Sequence, residues 1–132
     1  MPDLMIYRVF ISHACVHDEE YKRLVKMLDK ASFFYWQNYS LPINDALARP
    51  TGQEFHDRMA LTNIVIVLSG DYCSHIDFMQ QEIEIAADLK KPILGIMPWR
   101  NQNVPHIVKE LATEIVGWNT NSIVDAIRRL YI

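Results

Sequence analysis

The 132-residue chain is poor in cysteine, glycine and positive charge, and each shortage excludes a class of protein. Its two cysteines, Cys15 and Cys73, form no CxxC pair and cannot build a disulfide framework, so they read as free thiols and a packed core has to hold the fold. Residues 1–66 carry 7 basic and 8 acidic side chains, and residues 67–132 carry 6 and 8, for a net charge of −3. Neither half is basic, which disfavours a nucleic-acid partner or an anionic membrane surface. No apolar run reaches the ~18 residues of a membrane span. The start lacks the basic region and long apolar stretch of a secretory signal, which leads us to expect a cytoplasmic protein. Neither a P-loop nor a GxGxxG fingerprint is present. His13, Cys15, His17, Cys73 and His75 have no standard zinc spacing, so no metal is expected. What remains is a chain that is 50% hydrophobic, with no disorder-prone tract and a length suited to one domain over residues 1–132.

Strand and helix patterns alternate along it. Tyr7–Ile11 is a β-rich run, and Asp18–Lys30 has helical spacing with Tyr21, Leu24, Val25 and Leu28 on one face. Phe33–Trp36 reads as a second strand, followed by a polar connection from Gln37 to Pro50. Connections of such length tend to carry function. A helix is expected over Gly52–Ala60, and the continuous run Ile64–Leu68 is the kind of strand buried on both faces. His75–Leu89 predicts a helix, with Ser74 and Asp77 resembling a capping pair at its start. Pro92–Met97 predicts a fourth strand, Val104–Leu111 a short helix, Glu114–Val116 a fifth strand, and Ser122 with Asp125 the opening of a last helix. Five strands, each followed by a helical segment, predict an α/β fold of the flavodoxin-like, three-layer kind. Its parallel sheet has the order 2-1-3-4-5 and helices on both faces. Ligands of such sheets sit beyond the carboxyl ends of the strands at the switch point, so the residues following Ile11 and Leu68 come under scrutiny.

One acid is out of place. With His75–Leu89 projected at ~100° per residue, Ile76, Met79, Ile83, Ala86 and Ala87 form an apolar arc that Phe78, Ile85 and Leu89 extend. Asp77, Gln80, Gln81, Glu84 and Asp88 fill the opposite face, but Glu82 falls inside the apolar arc. A carboxylate there loses hydration unless it is paired, hydrogen-bonded or protonated. A core-edge acid in a structural ion pair and a functional acid both fit that position, and its place in the helix after strand three puts it beside the expected crevice.

These residues also match a family. Val9-Phe10-Ile11-Ser12-His13 resembles the first box of TIR domains, a strand ending in Phe-Ile-Ser-Tyr or Phe-Ile-Ser-His. Ser69 to Glu82 is similar to the TIR segment in which Ser precedes Trp-Cys-x-x-Glu, whose glutamate falls on Glu82. Lys91-Pro92-Ile93 with Pro98-Trp99 resembles the Lys-Pro-Ile strand and its Pro-Trp. Val116-Gly117-Trp118-Asn119-Thr120 and Trp36 to Pro42 are similar to the short prokaryotic TIR-like proteins of Thoeris anti-phage defence. The resemblance covers nearly the whole chain in order. Departures are Phe78 in place of Trp, Met79 in place of Cys and Asp77 in place of Ser.

The resemblance implies an NAD-cleaving enzyme with Glu82 as the catalytic carboxylate and NAD as substrate, without a cofactor. Phe10, Ser12, His13, Asp77 and Phe78 are the implied substrate contacts: the two aromatic rings beside nicotinamide, the polar groups on ribose or phosphate. For Phe10 the burial of phenylalanine in strands gives a competing reading as core, and Ser12 would also serve as a turn cap. Tyr39, Ser40 and Pro42 lie in the implied BB loop, through which other TIR subunits assemble. The implied product is ADP-ribose or a cyclic isomer of it that activates a separate effector protein. A non-enzymatic adaptor acting by TIR–TIR contact is the other reading, and the retained Glu82 counts against it.

Overall fold

The computed structural model describes residues 6–13, 19–40, 52–68, 76–97 and 106–131. Its elements are β1 (Ile6–His13), α1 (Glu19–Lys30), β2 (Tyr35–Asn38), α2 (Gly52–Ala60), β3 (Ile64–Leu68), α3 (Ile76–Asp88), β4 (Ile93–Ile96), α4 (His106–Leu111), β5 (Glu114–Val116) and α5 (Thr120–Leu130). The strands form one parallel sheet in the order β2-β1-β3-β4-β5, as the alternation predicts. β3 lies at the centre and all five of its residues are buried, which is why its sequence is an unbroken apolar run.

Side-chain alternation divides the core in two. Tyr7, Val9 and Ile11 of β1 join Ile64, Ile66 and Leu68 of β3 under Leu24 and Leu28 of α1 and Ile123, Val124, Ala126 and Ile127 of α5. On the other face Phe10, Val65, Val67 and Ile93 pack against Phe55 and Met59 of α2, Ile83 and Ala86 of α3, and Val108 of α4. The chain therefore leaves β1 toward one face and β3 toward the other, and the switch point falls between these neighbours at their carboxyl ends. Gly95 on β4 permits the close approach of α4: a Cβ at that position would stand 2.9 Å from Val108 Cγ1.

Local differences from the sequence expectation have local causes. The second strand begins at Tyr35, not Phe33: Phe33 takes a left-handed φ of 55° and is 86% exposed, while Phe34 turns into the core and stacks on Tyr7 at 5.1 Å. The last helix begins at Thr120, capped by Asn119, whose side-chain oxygen accepts from the backbone N–H of Ser122. Ser122 is thus the recipient of a cap. α3 closes with Lys91 N–H donating to the Ala86 carbonyl around Lys90, which holds φ 58° where glycine is usual. The start of α3 expected from Ser74 lies outside the described residues. Among the described residues no helix is long and apolar enough to cross a membrane.

Candidate functional site

Among the described residues three polar or charged side chains are buried: Ser12, Thr62 and Glu82. Thr62 is satisfied locally, its hydroxyl donating to the Met59 carbonyl at 2.7 Å as α2 ends. The other two meet each other. Ser12, one residue from the end of β1, is fully buried and its Oγ donates to Oε2 of Glu82, which is 2% exposed. The pair spans the switch point, because Ser12 is on β1 and Glu82 on the helix that follows β3.

Each half of the pair has a reason in the chain. Even-numbered positions of β1 face α2 and α3, so Phe10 and Ser12 point to the same layer. β1 is held opposite β3 to its last residue, with Ser12 beside Val67 and His13 beside Leu68. From Gln80 onward, where the side chains of α3 are described, Glu82, Ile83 and Ala86 are buried, while Gln80, Gln81, Glu84 and Asp88 are exposed. The acid thus occupies a core-facing site between aliphatic neighbours, as the helical projection required. A buried carboxylate fixed by a hydroxyl donor is pre-oriented, and one oxygen is committed to the protein.

The remaining candidates are distributed around this pair. Phe10 lies two residues below Ser12 on the same face, 1% exposed, its ring edge-on to Phe55 with centroids 6.0 Å apart. In this conformation it is packed as core and presents no ring surface for stacking. His13 ends β1, and Asp77 and Phe78 belong to the first turn of α3, Phe78 one turn before Glu82. Pro42, Cys15, His17, Cys73, His75 and Trp99 lie outside the described residues. Among the described residues no three His, Cys, Asp or Glu side chains cluster closely enough to hold a metal.

Tyr39 and Ser40 directly follow β2. Tyr39 is half-buried, with the Arg58 guanidinium 5.6 Å from its ring centroid. Ser40 Oγ accepts from the backbone N–H of Ile11 at 2.8 Å. That contact was invisible in the sequence, since 29 positions separate the two residues and no motif marks them.

The comparisons with known proteins agree with this fold. A family model described as "Thoeris protein ThsB, TIR-like domain" matches residues 10–103. No curated protein matches the chain. Among solved structures, a CMP N-glycosidase of Clostridium botulinum, BcmB, is similar at a TM-score of 0.57 and 17% identity, over 92% of this chain and 98% of that one. A Burkholderia pseudomallei protein described as pilus assembly-related is similar at 0.59 and 10% identity, over 94% and 88%. At these identities the likeness is one of fold. The family match spans most of the chain, including the end of β1 and all of α3, and on it the chain belongs to the ThsB family of TIR-like domains associated with Thoeris defence.

Proposed function

We propose that this domain cleaves the bond between nicotinamide and ribose in NAD, with Glu82 as the catalytic carboxylate. The observation that carries the reading is the burial of Glu82 at the switch point, held by Ser12. An acid kept in an apolar layer costs stability, and ionisable groups held at such cost concentrate at functional sites, which supports the reading in a chain of this family. Nicotinamide carries a positive charge in NAD and leaves as a neutral base with the electron pair of the broken bond. The ribose C1′ becomes oxocarbenium-like, and a fixed carboxylate beside it stabilises the developing charge and holds a ribose hydroxyl. Capture of C1′ by a hydroxyl of the same ADP-ribose closes a ring, and capture by water gives ADP-ribose. Either route releases one proton, and exclusion of water favours the ring.

In this reading Ser12 orients the acid, while His13, Asp77 and Phe78 contribute ribose, phosphate and ring contacts. The anion is held by local polar groups, since the net charge of −3 provides no attracting field. The nucleotide product acts on a separate effector, and other copies of the domain assemble through residues 39–42. NAD is a substrate, with no resident cofactor, and the cytoplasm is where it would be met.

Incubation of the purified protein with concentrated NAD, with products identified by mass spectrometry, tests the proposal. CMP serves as a second substrate in the same assay, because a structural neighbour is named as a CMP N-glycosidase. Release of nicotinamide that disappears in Glu82→Gln is expected. Release that persists in Glu82→Gln removes the acid from the mechanism, and release of cytosine alone reassigns the substrate. Absence of any cleavage leaves the adaptor reading in possession.

A further inference from the structure

We infer that Ser40 is a positioning residue for Glu82, acting through β1; this rests on the reading of Glu82 as the catalytic acid. β2 is short, and its ladder with β1 ends early: Asn38 lies opposite Val9, and the Tyr39 N–H donates to the Val9 carbonyl at 2.8 Å. On that side of β1 the next backbone donor is Ile11 N–H, which no residue of β2 reaches. Ser40 supplies the acceptor with its side chain, Oγ to N at 2.8 Å. Its own backbone is fixed in turn, the Ser40 N–H donating to Asn38 Oδ1 at 2.9 Å.

Ile11 immediately precedes Ser12. The Ile11 side chain is 1% exposed in one core layer, and the Ser12 hydroxyl points into the other, on Glu82. A parallel ladder offers one donor per two residues on each side of a strand. Among the described residues, the Ser40 hydroxyl is therefore the contact that extends the β1 ladder on the β2 side past Val9, one peptide from the group that holds the acid. On the opposite side β3 pairs with β1 through His13. Released on one side only, the end of β1 twists toward β3 and carries the Ser12 hydroxyl away from Oε2. Ser40 thus does for the acid what a longer second strand would do, without touching it.

Five proteins decide the matter: the full chain, its Ser40→Ala, Ser40→Cys and Ser40→Thr variants, and Ser12→Ala as the reference. Cysteine keeps the volume but is a weak acceptor, and threonine keeps the hydroxyl. In Ser40→Ala and Ser40→Cys the Ile11 amide should lose protection from hydrogen exchange, and the Glu82 carboxyl carbon resonance should move in the direction that Ser12→Ala moves it. The kcat for nicotinamide release should fall roughly tenfold to a hundredfold, as expected for a displaced catalytic group. KM for NAD should stay within about twofold, since transition-state stabilisation is what is lost. Ser40→Thr should restore all of these. A Glu82 resonance and kcat that ignore Ser40→Ala while the Ile11 amide loses protection would make the contact purely structural and overturn the inference. An unaltered Ile11 amide would overturn it as well. If NAD cleavage itself proves independent of Glu82, the proposed function fails, while the resonance comparison still decides the Ser40 role.

Discussion

Ser12 and Glu82 show how a residue can be costly to the fold and kept by it. Burial strips water from the carboxylate, and the Ser12 hydroxyl restores part of the loss. Removing the donor and removing the charge should therefore have opposite effects. Ser12→Ala is expected to lower the unfolding free energy by about 1.5–3 kcal/mol, the range for a hydrogen bond to a charged group. Glu82→Gln keeps a hydrogen-bonding partner for Ser12 and carries no charge, so we expect it to be as stable as the parent or more stable by up to about 2 kcal/mol. Urea unfolding monitored by far-ultraviolet circular dichroism checks both; a Glu82→Gln protein markedly less stable than the parent would show that the charge is well compensated. At this scale the acid was readable from the chain, because helical periodicity betrays a charged side chain on an apolar arc. Its partner was readable only as a candidate, since 70 positions lie between them and nothing local says that a strand-end hydroxyl will face a particular turn of a helix.

At the scale of elements, the signals that spoke clearly were long and redundant. Five consecutive apolar residues in β3 and the spaced apolar face of α1 leave little freedom of interpretation. The misread ends were settled by single backbone conformations. Phe33 looks like the first residue of an aromatic strand, yet a left-handed φ breaks the run there. Ser122 and Asp125 have the spacing of a capping pair, yet Asn119 reaches the same N–H first. A related conformational cost is visible at the end of α3. Lys90 holds φ 58°, a region that costs an L side chain about 1–2 kcal/mol. Glycine there pays more entropy on folding but meets no such clash. Lys90→Gly is expected to stabilise the domain by about 0.5–1 kcal/mol, seen as a rise in thermal midpoint with no change in secondary structure. A fall would mean that Lys90 contributes a contact worth more than its backbone strain.

For the whole molecule, charge ties the last helix to the β5 edge of the sheet. The two terminal guanidinium nitrogens of Arg129 on α5 donate to the two carboxylate oxygens of Glu114 on β5, each at 2.8 Å. This hydrogen-bonded pairing holds the Glu114 carboxyl below the ordinary carboxylate range. A group whose folded pKa is depressed contributes stability above the unfolded value of about 4.3, and that contribution is lost as pH falls through the folded value. Acid unfolding should therefore be milder at its onset in Arg129→Met than in the parent: the variant is less stable at neutral pH, and the gap closes below about pH 4. The pair is partly exposed, so added salt should narrow the neutral-pH gap too. Parallel curves for the two proteins down to pH 2 would exclude this linkage. The sheet order has a further consequence for the life of the chain. Its central strand comes third, and the acid follows on the helix after it, while the serine that holds the acid is already in the first strand. Seventy positions separate the two groups, so they meet only once β1 has paired with β3 and α3 has packed behind them. On the proposed reading, a partly folded polypeptide is unable to cleave NAD, because the capacity arrives only when the centre of the sheet has assembled around both groups.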